Sequence, residues 1–251
     1  MKDNKYSKMQ KDFYNNLATK AKGISVEEIF DFIWNTKSGK NIQIHPVGDV
    51  GRLNSFFKKC DFLFSRLDNP QEKIALDFGC GLGRNIGLYS SIFKRIDGVD
   101  ISEENINICK AVAESKNLNN VFYTCNGYDL SNIDDESYDV VMSFITLQHI
   151  SVYEIRFNYL KEFNRVLKPG ALLELQMGFG GSKTHNPVSY YENCYEADKT
   201  NGYFDVIVDK PELILEDLKK AGFKDLEHRI VEPSEFPNHD DRFIFVSGVK
   251  K

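Results

Sequence analysis

Residues 74–85 read Ile74-Ala75-Leu76-Asp77-Phe78-Gly79-Cys80-Gly81-Leu82-Gly83-Arg84-Asn85. An apolar run containing Asp77 is followed by glycines at alternate positions, Gly79, Gly81 and Gly83, and then by a helix-like segment. A strand, a tight glycine turn and a helix N-terminus let backbone approach a ligand closely, because glycine enters left-handed conformations at little cost. The spacing differs from the Gly-x-Gly-x-x-Gly of dinucleotide loops. Here the sixth position is Arg84, and the third glycine comes one residue early. A glycine turn alone is a common motif, so its meaning depends on what surrounds it.

Working outward, strand-like stretches at 73–78, 95–100, 121–125, 139–144 and 171–177 alternate with helix-like ones. The run at 139–144 is mostly apolar (Val140, Val141, Met142 and Phe144), as suits a strand buried on both faces. The helix at 102–115 carries Glu103 and Glu104 in its first turn, where the helix dipole favours anions. Ser151-Val152-Tyr153-Glu154 reads as a capping box opening a helix to about Val166, which Lys168-Pro169-Gly170 then breaks. Asp209-Lys210-Pro211-Glu212 opens a further helix ending at Gly222, and strands follow near 225–231 and 242–247. This alternation predicts an α/β fold with a mostly parallel sheet and helices on both faces.

Two segments fall outside the rhythm. Residues 1–70 carry helical signals, including a capping box at Ser25-Val26-Glu27-Glu28, and are expected to form an N-terminal helical cap. Residues 178–208 form a polar, aromatic insert in the 71–251 core, with Tyr190, Tyr191, Tyr195 and Tyr203, and have the character of a lid or binding loop.

Composition narrows the function classes. The 251 residues carry a net charge of −5, which argues against a broad polyanion-binding surface and hence against nucleic acid as partner. No stretch approaches the roughly 18 apolar residues of a membrane helix, and the polar N-terminus lacks a secretory apolar stretch. Membrane insertion is not expected. Cys60, Cys80, Cys109, Cys125 and Cys194 are scattered without a Cys-x-x-Cys pair, so neither a zinc site nor a disulfide framework is expected. A reducing cytoplasm is the expected compartment. Nothing in the sequence sets the oligomeric state.

The glycine turn, Gly98-Val99-Asp100-Ile101-Ser102, the segment from Asp135 to Phe144, Leu147-Gln148-His149-Ile150 and Arg165-Val166-Leu167-Lys168-Pro169-Gly170 occur in this order. Together they resemble the small-molecule branch of class I S-adenosylmethionine (SAM) dependent methyltransferases, over about residues 70–180. The resemblance implies a Rossmann-like sheet of seven strands with an antiparallel last strand. It also implies SAM as cofactor, S-adenosylhomocysteine as product, and an N-terminal cap over the cofactor. The residues expected to bind SAM are Tyr14, Asp77, Gly79, Cys80, Gly81, Arg84, Asp100, Ile101, Asn126, Gly127, Tyr128, Ser143, Phe144 and Gln148. Asp100 lies 17 residues after Gly83, where a carboxylate accepts both hydroxyls of a ribose; capping the next helix is its other reading. Many relatives place an Asp where this chain has Asn126 or Gly127. Asn126 is therefore the first choice for the adenine contact and Asp129 the second, with an ordinary Asn-Gly turn as the competing reading. Trp34 and Arg52 are further cap candidates.

The methyl group on a sulfonium is already a good electrophile, so catalysis is mostly a matter of holding the nucleophile in line. A base helps where the nucleophile carries a proton. His149, after the fourth strand, and His185, in the insert, are the candidates, with His45 behind them; bracing the next helix is the competing role for His149. The fourth strand runs into Ser143-Phe144-Ile145-Thr146 in place of an Asp/Asn-Pro-Pro-aromatic segment, and no Pro-Cys pair follows. Both absences disfavour a nucleic-acid base as acceptor. No acidic pair suggests a metal, and Asp134-Asp135-Glu136 reads as a solvated loop. The expected activity is methyl transfer to oxygen or nitrogen of a small acceptor: a sugar, a nucleotide-linked or surface-polysaccharide precursor, or a secondary metabolite. The alternatives are a nicotinamide-dependent oxidoreductase and a catalytically silent SAM-fold subunit.

Overall fold

A computed structural model describes residues 2–21, 23–34, 65–180, 187–195, 205–232 and 242–251. His45, Arg52, His185 and Tyr203 lie outside the described residues. The chain divides into two compact units, Lys11–Cys125 and Met1–Gln10 with Asn126–Lys251. Helix α1, Lys2–Ala18, contributes to both.

In the Lys11–Cys125 unit, β1 (Ile74–Phe78), β2 (Arg95–Asp100) and β3 (Phe122–Thr124) are parallel, with β2 in the middle. Ala75, Leu76, Ile96 and Val99 are almost completely buried, as expected of strands sandwiched between helices. Ser25 and Glu28 do form the expected capping box: Ser25 Oγ accepts from Glu28 N at 3.1 Å, and a Glu28 carboxylate oxygen accepts from Ser25 N at 3.1 Å. It opens α2 (Val26–Ile29), which continues as a π-type turn over Phe30–Trp34. Helix α3 spans Arg84–Tyr89 and α4 spans Glu103–Ser115. Helix α4 is capped by Ser102 and buries Ile106, Cys109, Val112 and Ala113, one stripe at helical spacing.

The Phe30–Trp34 turn lies against α3 at Gly83 and Gly87, four residues apart. A Cβ on Gly83 would sit 2.5 Å from the Trp34 indole nitrogen, and one on Gly87 would sit 2.2 Å from Trp34 Cα. Trp34 Nε1 donates to Leu82 O at 2.8 Å, which ties this turn to the backbone of the glycine loop.

The other unit is organised on β5 (Leu167–Phe179), which is longer than the sequence suggests. Strand β9 (Arg242–Lys250) runs antiparallel along Leu172–Phe179 of β5, and β8 (Phe223–Val231) pairs antiparallel with β9. The opposite edge of β5 is shared. Strand β4 (Tyr138–Ser143) pairs with it as far as Leu175, and β7 (Asp205–Val208) takes Gly178 and Phe179. Strand β6 (Pro187–Ser189) adds in parallel to β7. The chain is thus α/β with a mostly parallel sheet and antiparallel last strands. Beyond the seven strands read from the sequence, β6 and β7 arise inside the insert, which is therefore partly sheet.

Two helix starts differ from expectation. Helix α5 is Tyr153–Val166, and its cap, Val152, makes no side-chain bond. Ser151 Oγ instead donates to Cys194 O at 2.6 Å, and Glu154 Oε1 accepts from Asn193 Nδ2 at 3.2 Å. The intended capping pair is spent on fastening the 190s segment. Helix α6 is Pro211–Lys220, preceded by Lys210 without a side-chain cap in place of the expected Asp209 cap. Proline at its first position supplies the helical φ. No helix among the described residues is long and apolar enough to cross a membrane.

Candidate cofactor and acceptor site

In the Lys11–Cys125 unit the glycine turn is built as its spacing demands. Gly79, Gly81 and Gly83 have φ of 75°, 52° and 86°, values that favour glycine. Gly79 N and Cys80 N both donate to Val99 O, at 2.8 and 3.1 Å, so the turn folds back over the end of β2. Asp100, buried, braces it: one carboxylate oxygen accepts from Gly81 N at 2.9 Å, and the other from Ser102 N at 2.8 Å and Asn105 Nδ2 at 3.4 Å. Burial pushes its pKa up, against those hydrogen bonds and one from Ile101 N. Asp100 is therefore a strut of the turn as well as a helix-start residue, a role the sequence reading gave only as an alternative.

Asp77 is fully buried on β1. Its Oδ1 accepts from Asn85 Nδ2 at 3.1 Å, while Oδ2 has no hydrogen-bond partner among the described residues. Burial raises its pKa to about 7, with the Asn85 bond and the Arg84 charge pulling the other way. Arg84 is half-buried, and desolvation lowers its pKa. A buried carboxylate oxygen without a donor is costly. A Cβ on Gly81 would meet nothing within 4 Å among the described residues, which leaves room at the turn there. An orphaned carboxylate beside an open backbone turn suits a ligand carrying an ammonium group. Cys80 is buried with its thiol 3.8 Å from Gly81 O, and the neighbouring Cys109 thiol together with burial raises its pKa, the opposite of an activated nucleophile. Tyr14 is half-buried, its ring edge-on to Phe13 with centroids 5.1 Å apart. Its neighbour Asn15 accepts from Ser102 Oγ at 2.8 Å, docking α1 onto the start of α4.

In the other unit, Asn126 is consumed by a turn. Its Oδ1 accepts from Tyr128 N at 2.7 Å and Asp129 N at 2.9 Å, and its Nδ2 donates to Asp129 Oδ1 at 2.7 Å. This is the Asn-Gly turn reading. Gly127, at φ 83°, offers its carbonyl to Ser7 Oγ at 3.2 Å, and the Tyr128 ring is exposed. Beyond β4, Ser143 Oγ is buried without a hydrogen-bond partner among the described residues, and Phe144 packs 6.3 Å from Phe245. Ile145 has φ 56°, an outlier for a β-branched residue. Its N–H donates to Gln176 Oε1 at 2.6 Å, and Gln176 Nε2 donates to Gln148 Oε1 at 3.3 Å. His149 follows, with Nδ1 3.2 Å from Asp205 Oδ1. Local strain held by buried hydrogen bonds clusters at functional sites. At the start of the chain, the Tyr6 hydroxyl accepts from Ser151 N at 2.8 Å, and burial pushes its pKa up to about 12.

The structure thus gathers Asp77, the glycine turn, Arg84, Asp100 and Ile101 in one unit, and Ser143, Phe144, Gln148 and His149 in the other. Sequence reasoning missed Asp205, Gln176, Asn15 and Tyr6. A signal existed for Gln176, a polar residue inside the apolar 171–177 run. Asp205 gave none, since its partner is 56 positions away. Among the described residues, no group of three His, Cys, Asp or Glu is arranged to hold a metal.

The Methyltransferase domain family matches residues 76–175, from within β1 across the glycine turn and into β5. A curated relative, the tRNA (carboxymethyluridine(34)-5-O)-methyltransferase of Arabidopsis thaliana, is 32% identical over 110 residues, 41% of this chain. The match spans only 24% of that protein's length. Among solved structures, phosphoethanolamine N-methyltransferase 2 of Haemonchus contortus, in complex with phosphomonomethylethanolamine and S-adenosylhomocysteine, aligns at TM-score 0.62 and 20% identity. That alignment covers 94% of this chain and 60% of the other. A SAM-dependent methyltransferase of Methanosarcina mazei aligns at TM-score 0.57 and 22% identity, over 76% of this chain and 97% of the other. These structural likenesses carry the fold; the family match carries the domain. With the glycine turn, the parallel strands and the antiparallel closing pair in place, residues 76–175 match the Methyltransferase domain family, and the chain shares its fold with the Methanosarcina mazei SAM-dependent methyltransferase.

Proposed function

We propose that this chain transfers a methyl group from SAM to oxygen or nitrogen of a small-molecule acceptor. The observation that carries the cofactor reading is the orphaned Oδ2 of buried Asp77 beside the open glycine turn. SAM, when bound, supplies the activated methyl group on a sulfonium and an ammonium at its amino-acid end. Asp77 and Arg84 suit that end, and the backbone of Gly79, Cys80 and Gly81 gives it close approach. Asp100, at the end of β2, is the carboxylate assigned to the ribose hydroxyls, which compete there with the N–H groups of Gly81, Ile101, Ser102 and Asn105. Ser143, Phe144 and Gln148 line the end of β4, and Tyr14 is assigned to the cap over the cofactor.

The small acceptor is supported by the net charge of −5 and the missing base-methylation segments. The Haemonchus neighbour, a small-molecule enzyme, points the same way. A second reading, a tRNA nucleoside as acceptor, draws on the Arabidopsis relative. Calorimetric titration with SAM and with NAD tests the cofactor: SAM binding without NAD binding is expected, and the reverse refutes it. Methyl-labelled SAM incubated with a metabolite extract or with bulk tRNA then separates the acceptors, with label expected in the metabolites.

A further inference from the structure

We propose that Gln148 binds the methyl acceptor through its side-chain NH2 group, which Gln176 holds in that orientation, an inference that rests on the methyl-transfer reading above. Gln148 lies in the short 3₁₀ turn Leu147–His149, just past the carboxyl end of β4. Gln176 lies in β5, one residue beyond Leu175, the partner of the last β4 residue, Ser143. Ligands of open α/β sheets bind outside the carboxyl ends of the strands. Both glutamines belong to the Asn126–Lys251 part of one unit, and both are buried, at 8% and 1% exposure.

The direction of the glutamine pair is set by a backbone group that can only donate. Ile145 N–H lies 2.6 Å from the Gln176 amide, so the atom that meets it is the carbonyl oxygen Oε1. The nitrogen Nε2 of Gln176 then turns to Gln148 at 3.3 Å, and the Gln148 atom facing it is an oxygen for the same reason. That bond is the one the Gln148 side chain makes among the described residues. What is left over is its NH2 group, a pure donor. The arrangement is maintained against strain, since Ile145 is held at φ 56°.

A buried donor without a protein partner suits a ligand that brings the acceptor. Hydroxyl, carbonyl, carboxylate and phosphate oxygens all have the required lone pair. An ammonium group offers only hydrogens and is repelled. Asp77 and Arg84, in the other unit, already suit the amino-acid end of SAM, so the methyl acceptor is the ligand left for Gln148. The resemblance to methyltransferases gave Gln148 to SAM; the fixed donor gives it to a molecule that presents an oxygen lone pair to this loop. A site built around such a bond rejects analogues that cannot accept it.

The test begins with the ligand-free full chain. Nitrogen-15 NMR, with the two side-chain amides assigned from Gln148→Met and Gln176→Met, should show the Gln176 NH2 protons protected from exchange with water and those of Gln148 exchanging. Gln148 protons protected as strongly as those of Gln176 overturn the proposal. Label transfer from methyl-tritiated SAM is then followed against the amount of metabolite extract. Gln148→Met should raise the half-saturating amount about 10-fold with little change in the plateau. Gln148→Glu keeps an oxygen for Gln176 Nε2 but turns the free end into an acceptor, and should raise that amount about 100-fold. Gln176→Met should cost as much as Gln148→Met, and the double variant no more, because Gln176 acts through Gln148. Unchanged half-saturation in Gln148→Glu, or losses that multiply in the double variant, refutes these roles. A labelled product that is an alkylamine without oxygen refutes the acceptor class. Calorimetry should show wild-type affinity for SAM in every variant; weakened SAM binding by Gln148→Met places the amide on the cofactor and overturns the proposal. A wild type that binds SAM yet labels nothing refutes an acceptor at this loop. Failure of the wild type to bind SAM sinks the methyl-transfer reading itself, and the exchange measurement still judges the glutamine pair.

Discussion

Gly87→Ala is expected to reverse the usual sign of a helix substitution. Gly87 lies inside α3 with ordinary helical backbone, where alanine normally stabilises by about 1 kcal/mol. Here the added Cβ would lie 2.2, 2.3 and 2.5 Å from Trp34 Cα, O and C, all backbone atoms that no rotamer change moves aside. Restoring ordinary contact requires the Phe30–Trp34 turn to retreat by about 1 Å, and overpacking of this kind costs about 1–3 kcal/mol. The retreat also strains the Trp34 Nε1 bond to Leu82 O, worth about 1 kcal/mol net. Set against the propensity gain, the variant should be less stable by about 2 kcal/mol, a fall in Tm of about 4–8 °C for a chain of this size. Differential scanning calorimetry reads this directly. Gly81→Ala is the control: its Cβ meets nothing within 4 Å among the described residues, so the left-handed φ of 52° is what is penalised, by about 1–2 kcal/mol. A Gly87→Ala protein as stable as the wild type, or more so, refutes the close packing of Trp34 on α3.

Three further outcomes follow from the buried polar groups. Asp77 titrates near pH 7 in the folded chain, far above an unfolded aspartate, so the folded state holds an extra proton between about pH 4 and 7. Stability from this group is complete below pH 4 and is lost as pH rises toward 7, by up to about 4 kcal/mol. Asp77→Asn should flatten that decline in urea titrations at a series of pH values, and an identical slope in both proteins refutes the assignment. Asp100→Ala removes the acceptor for Gly81 N and Ser102 N, at about 1–3 kcal/mol for each buried N–H left unpaired. Calorimetry should show weakened SAM binding by a still-folded chain, and unchanged affinity separates Asp100 from the cofactor. Tyr6→Phe strips the acceptor from buried Ser151 N and should destabilise by about 1–3 kcal/mol, with Tm as the readout. No change in Tm means that the Ser151 amide finds another partner.

Most of the strand-and-helix order was legible because its signals are local. Apolar runs, alternating glycines and Pro-Gly breaks act within a few residues, and the Ser25–Glu28 box formed where its spacing placed it. Local signals failed where a distant partner competed for the same atoms. Ser151 and Glu154 have the spacing of a cap, yet the 190s segment takes both side chains. Asn126 has the chemistry to read adenine, but its own turn uses its amide first. The insert looked irregular because β6 and β7 are short and gain their order from pairing with each other and with β5.

By itself, the sequence determined the α/β class, the glycine turn with its left-handed backbone, and the carboxylates at the ends of β1 and β2, because each follows from the conformational preferences of neighbouring residues. Tertiary structure alone decided that Trp34 lies on Gly83 and Gly87, that Gln176 holds strained Ile145, and that Asp205 meets His149. Those contacts join residues far apart in the chain. They exist because burying apolar surface brings strands and helices together, and the buried polar atoms must then find partners wherever the packing has placed them.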